Sequence, residues 1–181
     1  MRTMITEDAL NCIRSEILLE NTAFFDNYAD AVDLDFCVGE LKNLKFKNIG
    51  NDALDFSGSN LKIDFIQIFD AKDKGISIGE ESEVYGSNIS IIDSKIGIVS
   101  KDKSKVYFRD VNLKNLKVGL SAYQKKEEFG PSMLSIYNYT DENNYNLFLL
   151  ERESTLTLNN IDMKTNTLDA LADLYNNSLI Q

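Results

Sequence analysis

Apolar and polar residues alternate with a period of two along most of this chain, which predicts strands and not helices. A five-residue pattern, apolar-x-apolar-x-Asn/Asp, reads Leu44-Lys45-Phe46-Lys47-Asn48, then Ile66-Gln67-Ile68-Phe69-Asp70 and Ile89-Ser90-Ile91-Ile92-Asp93. It continues as Val111-Asn112-Leu113-Lys114-Asn115, Leu134-Ser135-Ile136-Tyr137-Asn138 and Leu156-Thr157-Leu158-Asn159-Asn160, with a weaker first copy ending at Asp26. The terminal Asn/Asp residues fall 22 or 23 positions apart throughout. A second pattern runs in phase: Asp30-Ala31-Val32-Asp33-Leu34, Asp52-Ala53-Leu54-Asp55-Phe56, Lys74-Gly75-Ile76-Ser77-Ile78, Ile96-Gly97-Ile98-Val99-Ser100 and Val118-Gly119-Leu120-Ser121-Ala122. Its second position is always Ala or Gly, as expected where backbone turns tightly.

A repeat of this length means that no single unit can bury its apolar residues alone, whereas stacked units close a continuous core. The pattern predicts an all-β, single-stranded, right-handed parallel β-helix of about seven coils. The left-handed alternative prefers hexapeptide repeats, which are absent here. Leu54, Ile76, Ile98 and Leu120 form one expected apolar column, and Phe46, Ile68, Ile91, Leu113, Ile136 and Leu158 another. The recurrent Asn and Asp residues belong at a corner, bonded to turn amides or to one another along the stack. We read residues 1–181 as one domain, with coils over 8–166 and a cap over 167–181. Polar residues 140–144 are expected to loop outward, and Leu168, Leu171, Leu174 and Tyr175, at helical spacing, predict a short amphipathic helix over the open end. The segment before the first coil is short, so that end invites a neighbouring domain or an end-to-end homo-oligomer.

The formal net charge of -10 turns away polyanions, so nucleic acid is excluded as a partner class. No apolar run is long enough for a membrane span, and the opening residues do not resemble a secretory leader. The chain therefore acts inside the cell or, as a module of a longer secreted protein, outside it or at its surface. It has no His, which removes the commonest neutral-pH base and transition-metal ligand. Cys12 and Cys37 lie on neighbouring coils but out of register, predicting two free thiols.

The candidate chemistry lies on the outward side of the first strand of each coil. With Val32, Leu34, Leu54 and Phe56 inward, Asp33, Asp35, Asp55 and Ser57 point out, followed by Ser77, Lys101 and Tyr123 on later coils. Asp30, Asp52 and Lys74 flank the same wall, and residues 123–131 form a loop that brings Lys125 beside it. Asp33 and Asp55 stack one above the other, and like charges so placed repel. A bound cation, Ca²⁺ above all, a raised pKa or a nearby Lys relieves that repulsion. Such a wall binds a glycan or cation-bridged polysaccharide through Asp30, Asp52, Ser57, Lys74, Ser77 and Lys125, with Asp33 and Asp55 holding the metal. If the chain is instead a lyase or hydrolase acting on an acidic polysaccharide, Asp33, Asp35, Asp55, Lys101 and Tyr123 carry the chemistry. The third reading is a structural spacer, in which the acids only keep an exposed sheet soluble.

These repeats resemble right-handed β-helix proteins of the pectin-lyase-like superfamily over nearly the whole chain. More narrowly, the segments from Asp30 to Phe36, Gly50 to Ser59 and Asp73 to Glu80 resemble β-helix modules of bacterial surface-associated proteins. A looser likeness to polygalacturonases implies that Asp33, Asp35 and Asp55 stand for their acids and Lys101 for their substrate-binding lysine. Against it, Asp73-Lys74-Gly75 replaces their Gly-His-Gly, Val99 stands where Arg is expected, and their paired Asp-Asp is missing.

Overall fold

The computed structural model describes residues 7–175. The expectations for the terminal segments beyond these lie outside the described residues. The chain winds into a parallel β-solenoid of about seven coils. Each coil contributes a short strand to one sheet and a longer, bent strand to another. The first sheet stacks Leu10–Ile13, Val32–Asp35, Leu54–Ser57, Lys74–Gly79, Ile96–Lys101, Val118–Tyr123 and Asn146–Leu150 in that order. The second is built on Val38–Ile49, Asn60–Ala71, Glu83–Ile92, Lys105–Lys114 and Met133–Glu142. At its first edge Glu16–Glu20 and Ala23–Asn27 each pair with Val38–Ile49. At its far edge Thr155–Leu158 is covered by the antiparallel strand Ile161–Asp162. Adjacent coils pair in parallel, so the aliphatic column Leu54, Ile76, Ile98 and Leu120 is continuous and fully buried.

The corners explain the Asn and Asp residues. Asp26, Asn48, Asp70, Asp93 and Asn115 all have φ between 53° and 62°. That left-handed conformation is unfavourable for most L-residues, and Asn and Asp adopt it most readily. Their side chains also link the coils: Asn48 Nδ2 donates to Asp26 Oδ1 at 2.7 Å, and Asn115 Nδ2 to Asp93 Oδ1 at 2.7 Å. A second left-handed column, Asn21, Asn43, Phe65, Asn88 and Asp110, bends each long strand midway. There Asn43 Nδ2 donates to Asn21 Oδ1 at 2.7 Å. The small residues Gly75 and Gly97 answer a different need. Their φ is not left-handed, but a Cβ on Gly97 would lie 2.3 Å from the carbonyl oxygen of Gly119 on the next coil.

The last two coils depart from the expected register. Val106 pairs with Leu134 and Phe108 with Ile136, and Leu156 and Leu158 continue those positions. Ile136 and Leu158 therefore extend the Phe108 column, while the column Phe46, Ile68, Ile91 and Leu113 ends opposite Asp141. Asn138 likewise sits over Asp110, 28 residues earlier, and not over Asn115. The extra residues lie in the loop between Tyr123 and Met133, and Thr140 to Glu142 stay within a paired strand where an outward loop was expected. Both arms of the long strand end at a left-handed corner, and the first arm can carry the same apolar-x-apolar-x-Asn/Asp signature, as residues 17–21 and 106–110 do. An insertion close to one arm's length thus slides one arm onto the other without breaking the apparent period.

Cys12 and Cys37 are free thiols. Cys37 Sγ donates to the carbonyl of Cys12 at 3.3 Å instead of bonding to its sulfur. The helix Ala170–Tyr175 forms as expected but does not lie over the open end. It packs on the outer side of the first sheet, where Leu174 and Ala170 bury against Ile96, Val99, Val118, Tyr123 and Leu149. Among the described residues, no helix is long and apolar enough to cross a membrane.

Asn48→Ala removes both the left-handed preference and the bond to Asp26. We expect a loss of about 1–2 kcal/mol in urea unfolding, and Asn48→Gly, which keeps the φ, to lose less.

Candidate functional site

The wall expected to carry chemistry is assembled as its register requires. Asp33 lies directly over Asp55, and Asp35 over Ser57. Asp33 Oδ2 accepts from Asn11 Nδ2 at 2.8 Å. Among the described residues, buried Asp55 Oδ1 has no hydrogen-bond partner; it lies 3.9 Å from Lys101 Nζ, which donates to Ser77 Oγ at 2.8 Å. Lys101 reaches back over Gly79, where a Cβ would lie 2.7 Å from its Cε, so a side chain there would displace the lysine. Burial, with Asp35 and Asp55 close by, pushes the Asp33 carboxyl up to about 7. Burial also raises Asp30 and Asp35, the latter with help from Glu80.

The flanking column is used by the fold. Asp30 Oδ1 accepts from the Asp52 amide at 2.7 Å and from Asn51 Nδ2 at 2.7 Å. Asp52 Oδ1 accepts from the Lys74 amide at 2.9 Å, and both its oxygens lie 3.3 Å from Lys74 Nζ. Lys74 also donates to Asp73 Oδ2 at 2.5 Å, and Tyr175 donates to the same oxygen at 2.8 Å. Burial opposes the charge on Lys74, but Asp52 and Asp73 outweigh it and raise its pKa. Lys95 Nζ sits 4.6 Å from the centroid of the Tyr175 ring and 3.2 Å from Asp73 Oδ1. This knot fastens the helix to the wall.

The structure thus brings Asp33, Asp35, Asp55, Ser57, Ser77 and Lys101 together, open to solvent only at the early coils. Tyr123 is buried beneath the helix, and burial raises its pKa. Lys125 is exposed on the loop, anchored by its amide donating to Asp102 Oδ1 at 2.7 Å. Among the described residues, no group of three or more His, Cys, Asp or Glu side chains is placed to hold a metal ion.

A concavity of about 590 Å³ lies elsewhere, on the outer wall of the second sheet. Two outward columns line it: Glu40, Lys62, Tyr85, Tyr107 and Ser135, beside Lys42, Asp64, Ser87, Arg109 and Tyr137. The Tyr85 and Tyr107 rings stack with centroids 5.0 Å apart and planes 11° from parallel. Tyr85 is 44% and Tyr137 59% exposed. Asp64 accepts from Ser87 Oγ at 2.7 Å and Asn88 Nδ2 at 2.9 Å. Burial works to raise its pKa, but those bonds outweigh it and hold the carboxyl below the usual range. The sequence carried a signal for this cleft. Tyr85 and Tyr107 are 22 apart, each following an inward valine, so the repeat stacks them. Columns drawn only through the other arm of the strand pass it by.

Set against known proteins, the chain matches no family model, no curated protein and no solved structure.

Because folded Asp33 binds its proton more tightly than the unfolded chain does, its ionisation destabilises the fold. Stability should fall as pH rises from the unfolded carboxylate range near 4 through about 7, and level off above. Asp33→Asn should flatten that slope and raise the thermal midpoint at pH 8. An unchanged pH profile in the variant contradicts the assignment.

Proposed function

We propose that this chain is a non-catalytic, glycan-binding β-helical module, and that the glycan lies along the tyrosine cleft. The observation that carries this is the Tyr85–Tyr107 stack, set in an open concavity and edged by Arg109, Asp64, Lys62 and Ser87. Sugar rings present apolar C–H faces and polar rims. Exposed aromatic surface takes the faces, while charged and hydroxyl groups take the rims. The cleft spans five coils at about 4.8 Å each, which leaves room for more than one sugar ring. Among the described residues, Arg109 has only a 3.9 Å contact with Asp110, which leaves its guanidinium available to a ligand.

The acid wall supports a second reading. A carboxyl raised to about 7 beside an acid with an unpartnered oxygen is the pairing that acid–base cleavage of an acidic polysaccharide uses. A Ca²⁺ ion bridging Asp33 and Asp55 would complete its coordination from such a polysaccharide and from water. The parallel coils shared with pectin-lyase-like proteins agree with either reading.

Calorimetric titration with cello-, xylo- and galacturono-oligosaccharides separates them. Cleft binding predicts that Tyr107→Ala weakens affinity about tenfold or more, the equivalent of about 1.4 kcal/mol, without new reducing ends appearing. Release of reducing ends or unsaturated products, abolished by Asp55→Ala, would instead establish the enzyme. Affinity that collapses on chelation and returns with Ca²⁺ would place the ligand on the acid wall.

A further inference from the structure

We infer that Ser135 marks the subsite for a single pyranose ring, which continues the tyrosine stack as its third member. This rests on the cleft being the glycan site and specifies where within it recognition is concentrated. The column runs Lys62, Tyr85, Tyr107, Ser135, Thr157, one residue per coil. Tyr85 and Tyr107 use one ring face on each other. On the far side of Tyr107 the next position is a serine, whose small side chain leaves the space that another ring would fill. Ser135 and Tyr137 both line the concavity, so the space opens to solvent.

The surroundings of this slot fit a sugar better than a purely apolar ring. Tyr107 forms its floor, one coil spacing of about 4.8 Å below, the distance at which rings stack in this fold. Ser135 contributes a hydroxyl at its back. Arg109 and Tyr137 stand beside it in the neighbouring column, Tyr137 being 59% exposed. Thr157 bounds the slot on the other side, its hydroxyl already donating to Asp162 Oδ1 at 2.7 Å. A flat ring with a polar rim thus meets an aromatic face below and hydrogen-bonding groups along one edge. The residues from Lys62 and Lys42 to Ser87 then receive the sugars that follow.

The test is to fill the slot with the residue that the column already accepts. Ser135→Tyr places a third tyrosine where the two preceding coils carry one, at an outward position, so the fold is expected to persist with an unchanged or higher urea midpoint. Its affinity for the cello-, xylo- or galacturono-oligosaccharide that binds the unaltered chain best should fall at least tenfold. Gln67→Tyr, an outward tyrosine on the other arm, should bind as the unaltered chain does. In the unaltered chain, the same saccharide should shift the Tyr107 ring proton resonances more than those of Tyr28. Equal affinity in Ser135→Tyr, or no shift at Tyr107 on saturation, overturns this subsite while leaving the glycan reading standing. If Ser135→Tyr fails to fold, the Tyr107 shift alone decides. No binding by the unaltered chain to any of the three series overturns the glycan reading and the subsite with it.

Discussion

Backbone pairing between successive coils is the constraint on which the rest of this structure depends. It holds each residue about 4.8 Å from its counterpart one turn away, so a side chain's closest neighbours are copies of its own position. Each column is therefore a test of whether a residue type tolerates itself or its substitute. Aliphatic residues pass and make the core. Amides pass by donating to the carboxylate below, as Asn48 does to Asp26. Rings pass by stacking, as Phe24 and Phe46 do at 5.2 Å and Tyr85 and Tyr107 at 5.0 Å. Carboxylates fail unless something intervenes, and Asp33 over Asp55 is such a failure. It is relieved by Asn11 on one side, Lys101 on the other and a proton held up to about 7.

That rule decides how much was legible in the sequence. Repeats of near-constant length made the solenoid, its two main apolar columns and the stacking of Asp33 on Asp55 readable from spacing alone. The register of the final coils was not readable that way. Leu134–Asn138 carries a signature valid for either arm of the bent strand, and only pairing with Val106 and Phe108 chooses between them. The helix was foreseen from its apolar spacing, yet its landing place depended on a comparison across columns. Ile96 and Val118 occupy the position held by Asp30 and Asp52 earlier, and Val99 and Leu149 that of Asp33 and Asp55. The outer wall thus changes from acidic to apolar as the solenoid proceeds, and the helix covers the apolar part.

This change of character also determines what the first sheet can offer. Over the early coils the wall is wet and acidic, while over the later ones it is a second small core. The boundary falls at Lys74 and Lys101, two largely buried cations at the edge of the acids. Lys74 turns toward Asp52 and Asp73 and so holds Tyr175. Lys101 turns back toward Asp55 and Ser77. Both lysines are largely buried, so their charges serve the packing of this wall before they serve any ligand.

Hydrogen-bonding capacity spent within the fold is not available to a ligand, and this separates the two walls more sharply than their residue types do. Asp30, Asp52, Lys74 and Ser77 have the chemistry of a binding site, yet Asp30 Oδ1 and Asp52 Oδ1 accept from backbone amides, Lys74 donates to Asp52 and Asp73, and Ser77 accepts from Lys101. On the second sheet, Arg109 has one distant acid, and Tyr137 projects into solvent beside a concavity. Since a solenoid repeats whatever suits its stack, the position where a repeated residue stops is informative. The tyrosines stop at Ser135, although the pairing of the column continues unbroken through it to Thr157.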